Sequence, residues 1–248
     1  MSSTHFNVLT LNIHKGFSMG QREFTLNRIR DCLRASESTI VFLQEVVGAH
    51  SILESKVADW PDGNQLEYLA DSVWSHHAYG KNAIYQHGHH GNAILSEIPF
   101  KFWHNLDVSL MNFSRRGMLH GVTGGDVHLL CTHLGLFESE RRRQIGRLIE
   151  YVRSSIPPDA PLILAGDFND WRKTCHKLLC SELGLHEAYH THHRQIANTF
   201  PALRPILPMD RIYLRGFRVN SCTIMNGRQW RSISDHCAVF ADISLHPA

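Results

Sequence analysis

The chain lacks most of the features that would place it outside the soluble enzymes. Its six cysteines (Cys32, Cys131, Cys175, Cys180, Cys222 and Cys237) contain no CxxC pair and no spacing of a disulfide framework, so a reduced, cytoplasmic setting is the expectation. No apolar run approaches membrane-spanning length. Met1-Ser2-Ser3-Thr4-His5 shows no charged region followed by an apolar one, so no signal peptide is legible. An excess of one charge is missing too. A net charge of +2 and a pI near 8.3 tolerate a phosphate-bearing substrate without marking a dedicated nucleic-acid binder. Repeats, low-complexity tracts and linkers are absent, so residues 1–248 read as a single domain. The GxSxG signature of a serine nucleophile is also missing.

What the chain does have is a recurring pattern of apolar strands that end in Asn, Asp, Glu or His. Phe6 to Ile13 alternates and stops at His14-Lys15-Gly16, with Asn12 near the strand end. Leu26, Ile29 and Leu33 recur at helical spacing, and Thr39 to Leu43 forms a second strand ending in Gln44-Glu45. Strand, helix, strand is a crossover unit. Residues 49–75 read as helical, interrupted by Pro61-Asp62-Gly63. Strands then follow over about 79–85, 92–96, 101–109, 116–123 and 126–132, the last running into Thr132-His133. A helix carries the stripe Ile145, Leu148, Ile149 and Val152. The buried strand Leu162 to Ala165 breaks abruptly into Gly166-Asp167-Phe168-Asn169-Asp170. If strand geometry continued there, Asp167 and Asn169 would face the same side. The alternative is an Asx-turn followed by a helix N-cap. A helix near 172–183, a His- and Pro-rich loop, and strands near 211–214, 217–225 and 237–243 complete the chain.

These strand ends offer oxygen and imidazole groups, the donor set of metal-assisted hydrolysis. The histidine clusters at 87–90 and 190–193 lack a clean metal-site spacing and read as exposed loop residues.

The ordered strings LNIHKGF, LQEVVGAH, GNAILS, THLGL, AGDFNDW, MDRIY and SDH resemble the endonuclease/exonuclease/phosphatase superfamily over about residues 6 to 243. The nearest likeness is to a small bacterial branch called YbhP-like. The superfamily spans pancreatic deoxyribonuclease, exonuclease III-type repair enzymes, sphingomyelinases and inositol polyphosphate phosphatases. The resemblance implies a four-layer α/β sandwich of two packed, mainly antiparallel sheets with outer helices. It implies Glu45 as the main Mg²⁺ ligand (Mn²⁺ substituting), with Asn12 nearby and Asp235 as a second metal-side acid. Asp167 and Asn169 would orient water and hold phosphate, His236 would be the catalytic histidine fixed by Asp210, and His133 a second active-site histidine. Asn92 and Arg141 match family positions for substrate contact, and Arg116, Arg141 and Lys173 would form a weakly basic face. Trp171 and Trp230 read as a substrate wall or, more commonly for tryptophan, as core.

Where exonuclease III-type enzymes have a tyrosine region, this chain has Thr132-His133. That argues against an abasic-site specialist. The implied activity is a metal-dependent phosphodiesterase acting on nucleic acid. A phospholipid head-group phosphodiesterase and a catalytically inactive binding domain are the alternatives. Neither stable membrane insertion nor an obligate protein partner is implied.

Overall fold

Two parallel strand pairs organise the molecule. β1 (His5–Asn12) and β2 (Ile40–His50) are joined through α1 (Leu26–Ala35); β7 (His128–His133) and β8 (Leu162–Asp167) are joined through α4 (Glu138–Ser155). Parallel neighbours require such a crossover, which leaves the C-terminal ends of both strands at the same edge. The computed structural model describes residues 4–111 and 114–246; the Met1-Ser2-Ser3 segment read above lies outside them.

Each pair sits at the centre of a six-stranded sheet. The first sheet has the order β11 (Phe217–Met225), β12 (Ala238–Leu245), β1, β2, β4 (Gly88–Ser96), β3 (His76–Tyr85). The second runs β5 (Phe100–Asp107), β6 (Gly117–Thr123), β7, β8, β10 (Asp210–Arg215), β9 (His186–Glu187). All other pairings are antiparallel, so the mainly antiparallel α/β sandwich expected from the sequence is the architecture.

The uninterrupted apolar runs follow from burial on both strand faces. Ile40 and Phe42 of β2 point between the sheets, where they meet Ile163 and Ala165 of β8. Val41 and Leu43 point outward under α1 and α3 (Gln65–Ala70), with Leu26, Ile29, Leu66 and Leu69. Leu162 and Leu164 face α4 and α5 (Thr174–Leu183) in the same way. Each large side chain so buried contributes about 2 kcal/mol. Trp230 belongs to the core beneath α1.

Three local readings change. β2 does not end at Glu45 but continues to His50, because a bulge at Gln44-Glu45 interrupts pairing with β4 without ending it. Helix therefore begins only at α2 (Ser51–Lys56). Of the clustered histidines only His87, in the exposed turn before β4, is a loop residue. His89 and His90 lie on β4, and His190, His192 and His193 on α6 (Ala188–His193), within the stretch read as loop.

A polar chain lies beneath α4. The Tyr151 hydroxyl is 2.7 Å from His104 Nε2 and 2.7 Å from His120 Nδ1, and His120 Nε2 is 3.0 Å from His128 Nδ1. Burial first, then the neighbouring His128 and His104, push the His120 pKa down to about 3. The folded chain thus resists a proton that the unfolded chain accepts near pH ~6.5, so this term weakens stability as pH falls below that value and towards the folded pKa. We expect denaturant unfolding between pH 4 and 7 to show His120→Gln with a shallower loss, by up to about 1.4 kcal/mol per pH unit. Superimposable pH slopes in the two proteins would contradict it.

Candidate functional site

Register assembles the site. His133 of β7 pairs with Asp167 of β8, which pairs with Asp210 of β10, so three neighbouring strands present these residues side by side. Paired residues project to the same face of a sheet. Across the gap, β1 ends at Asn12, whose Nδ2 donates to Asp167 Oδ2 at 3.1 Å. Glu45 adopts φ 59 at the β2 bulge, a conformation costly for a residue with a side chain, and the bulge aims its carboxylate into the same cleft.

That cleft, about 250 Å³, is lined by the predicted Asn12, Glu45, His133, Asp167, Asn169, Asp235 and His236. Asp210 lies behind it, fully buried, with Oδ2 accepting from His236 Nδ1 at 2.8 Å. Thr199 Oγ1 accepts the Asp210 amide at 3.0 Å and fixes the start of the strand. Ser234 ties the Asp235-His236 segment to β1, its hydroxyl donating to the Asn12 carbonyl at 2.6 Å.

The strand geometry does not continue beyond Asp167. Asn169 has φ 48, and its amide donates to Asp167 Oδ1 at 2.9 Å, the Asx-turn of the alternative reading. Its side chain then donates to the Leu134 carbonyl at 2.9 Å, which joins it to the segment after His133. Asp170 takes over the capping role from the N-cap position Lys173, accepting the amides of Thr174 and Cys175 at the start of α5, and Arg211 pairs with it in full burial at 3.0 Å. A turn, a cap and two cleft residues therefore coexist in four positions. Gly166 makes the approach possible: it has φ 145, and a Cβ there would overlap the Thr132 carbonyl.

Charge is distributed unevenly in the cleft. Burial alone would lower the His236 pKa, but Asp210 and then Asp167 outweigh it and raise it to about 10. His236 is an imidazolium at neutral pH. Burial raises Asp167 to about 6, against the lowering effect of His236. His133 is the opposite case: burial, then the Arg116 guanidinium, push it well below 6.5, and the ring is neutral. Arg116 Nη1 lies 3.1 Å from His133 Nδ1, and His133 Nε2 lies 3.4 Å from Asp167 Oδ2. Arg116 Nη1 also lies 3.2 Å from His133 Nε2, so the guanidinium bears on the ring as a whole.

Asp167, Asp210 and His236 bring ligand-type atoms within 4.8 Å of one another. Within this trio the two carboxylates favour the protonated form of His236, which makes it the positive group. The oxygens fit for a hard divalent ion are those of Glu45, Asp235 and Asn12, which line the cleft with no thiolate among them. Burial would raise the Glu45 carboxyl, but Lys15, 3.6 Å away, then His90, His14 and Arg116 hold it below its usual range. Its charged form is favoured.

Two expected substrate contacts lie elsewhere. Asn92 is buried and spans the two sheets, donating to the Gly117 carbonyl at 3.0 Å and the Cys131 carbonyl at 3.4 Å. Arg141 is 1% exposed; it donates to the Gly135 carbonyl at 3.2 Å and to that of Leu136, and stacks over the Trp171 ring at 4.5 Å. Its partners are loop carbonyls because that helix face turns inward. Arg141 and Lys173 are not among the cleft-lining residues, and of the basic face only Arg116 is. Conversely, His14, Phe200 and Met209 line the cleft without having been singled out. His14 Nδ1 is 3.3 Å from Asp235 Oδ2, and Phe200 packs on His236 at 4.9 Å between rings. His14 follows the first strand end directly, a signal the sequence did carry.

Residues 9–236 match the sequence profile of the Endonuclease/Exonuclease/phosphatase family. Over 245 residues the chain is 43% identical to the uncharacterized protein YbhP of Escherichia coli (strain K12), covering 97% of this chain and 96% of that one. An endonuclease/exonuclease/phosphatase from Beutenbergia cavernae superimposes with a TM-score of 0.78 at 20% identity, over 99% of this chain and 73% of that one. D. rerio TDP2, solved with a single-strand DNA product, superimposes with a TM-score of 0.69 at 17% identity, over 98% of this chain and 100% of that one. At these identities the two structures share the fold.

Proposed function

This chain belongs to the endonuclease/exonuclease/phosphatase family, and on that premise we propose that it is a divalent-metal-dependent phosphodiesterase, with nucleic acid as the favoured substrate. The observation that carries this reading is the hydrogen-bonded row Asp210–His236 beside Asp167, facing the oxygens of Glu45, Asp235 and Asn12 across one cleft. A phosphodiester is anionic and resists attack until its charge is neutralised and a water is held in line. His236, protonated through its contact with Asp210, supplies a fixed positive charge and a donor for a phosphoryl oxygen. Asp167 is positioned by Asn12 and the Asn169 amide, and with a pKa of about 6 it is matched to taking a proton from water near neutrality. Neutral His133 and the Arg116 guanidinium line the same cleft, and Asn169 holds the segment that follows His133. Glu45, Asp235 and Asn12 would hold Mg²⁺ or Mn²⁺, which when bound polarises the phosphoryl oxygen.

A second reading, hydrolysis of phospholipid head groups, is favoured by one feature. Leu136 and Phe137 are 57% and 56% exposed beside the cleft, and Leu203 and Ile206 are similarly exposed on the segment that follows cleft-lining Phe200. No helix of the described residues is long and apolar enough to cross a membrane, but apolar loops of this kind suit a lipid surface.

The test is a panel of single- and double-stranded DNA, RNA, lysophospholipid, a sugar phosphate monoester and bis-p-nitrophenyl phosphate, with Mg²⁺, Mn²⁺ or EDTA. We expect EDTA-sensitive cleavage of diesters, including DNA, with affinity for DNA falling steeply as salt rises. Turnover of phospholipid vesicles without cleavage of any nucleic acid at low salt would replace the first reading with the second.

A further inference from the structure

The cleft does not stop at Glu45 and Arg116. Beyond them it opens into an alcove of about 350 Å³ whose lining includes Lys15, His90, Arg115, Leu136 and Phe137. Lys15, Arg115 and Arg116 place three cations there against a single acid, Glu45, which the alcove shares with the cleft. Lys15 pairs with Glu45 at 3.6 Å and Arg116 faces the cleft as well, so a lone phosphoester seated over Asp167 and His236 leaves an excess of positive charge in the alcove, that of Arg115 above all.

The main chain that carries two of these cations is held in place. Lys15 adopts φ 59, in a short turn closed by the Gly16 amide on the Ile13 carbonyl at 2.8 Å. Gln65, fully buried on α3, accepts the Val47 amide at 3.0 Å and donates to the Lys15 carbonyl at 2.9 Å, fastening that turn to β2. Arg116 is fixed at both backbone ends: its amide donates to Ser109 Oγ at 2.9 Å, and its carbonyl accepts the Val108 amide at 3.0 Å. Arg115 precedes it, exposed; the acid it acts on is Asp107, which does not line the alcove. Exposed Leu136, at the junction of the two cavities, and Phe137, in the alcove, add an apolar wall. Cations on a fixed frame beside an apolar face suit a ligand with phosphate at one end and a flat or apolar body next to it.

We propose that this alcove is a second anion subsite, so that preferred substrates carry a second phosphate on the unit adjoining the scissile phosphoester. The proposal rests on the reading that the neighbouring cleft takes a phosphoester. Two sources have this chemistry: the next phosphate of a nucleic acid strand, or a bisphosphorylated small molecule.

The test measures binding by calorimetry in Mg²⁺ buffer with two pairs of probes. These are thymidine 5′-monophosphate against thymidine 3′,5′-bisphosphate, and fructose 6-phosphate against fructose 1,6-bisphosphate. The bisphosphate of a pair is expected to bind about tenfold more tightly or better. That ratio should fall towards unity in both Arg115→Glu and Lys15→Met, whose melting temperatures establish that they are folded. A gain confined to the thymidine pair identifies a nucleic acid strand; a gain in both pairs identifies a second phosphate on any carrier. Equal affinities within both pairs, or a ratio that neither substitution changes, overturns the subsite. Hydrolysis of bis-p-nitrophenyl phosphate, which has one phosphate, is assayed alongside. Its absence would count against the phosphodiesterase reading, while the binding ratio still decides the alcove.

Discussion

Exchange of Glu45 for glutamine is expected to reduce Mg²⁺ affinity and turnover together, while leaving the fold intact. The side chain keeps its length, and the bulge that presents it is set by pairing of β2 with β4 on either side. What disappears is the carboxylate charge that Lys15, His90, His14 and Arg116 help to keep ionised. Removing even an outer partner of a metal ligand costs about 10–100-fold in affinity or activity, and loss of the ligand charge itself should cost at least about a hundredfold. Calorimetry settles it. A mutant that binds Mg²⁺ as tightly as the parent excludes Glu45 as a ligand, and normal melting in the metal-free protein separates a lost ligand from a lost fold.

The second large effect is expected at Asp210, although it does not line the cleft. Asp210→Asn keeps the shape of the group but removes the charge that raises His236 to about 10. Turnover should drop roughly a hundredfold or more, by the logic of other acids that orient a histidine. The alkaline limb of the pH–rate profile should also move to lower pH, because the imidazolium then loses its proton sooner. The stability contribution of the raised pKa follows the same sign. It is fully present below ~6.5, the unfolded value, and is lost as pH rises through about 10. His236→Ala should remove nearly all that Asp210→Asn removes, so the double mutant should be little worse than His236→Ala alone. Additive losses in the cycle would mean that the two residues do not act as a unit.

Much of this site is legible in the chain's own pattern of strand ends. Asn12, Glu45, His133, Asp167, Asn169, Asp235 and His236 all stand at or just beyond the ends of apolar stretches, and all reach one cleft. Such strand ends converge because crossover connections bring parallel strands to the same edge, and each sheet is built around one such pair. The residues that misled were those whose neighbours decide their direction. Arg141 falls on a helix with an apolar stripe, and nothing in its spacing reveals that the Gly135-Leu136 carbonyls and Trp171 will enclose it. Asn92 sits in a buried strand, where its amide can serve the opposite sheet as readily as a ligand.

The sequence by itself determined the strands buried on both faces, the crossover helices and the chemical types available at their ends. These follow from local periodicity and from the abrupt change from apolar to polar residues. Only the tertiary structure decided which of those groups meet. Register set His133, Asp167 and Asp210 in one row, the contact between sheets brought Asn12 to Asp167, and a bulge turned Glu45 into the cleft. The physical reason is that a one-residue slip in pairing sends every side chain of a strand to the other face. Which face wins is fixed by packing against distant strands, and that packing is not written in any local stretch of the chain.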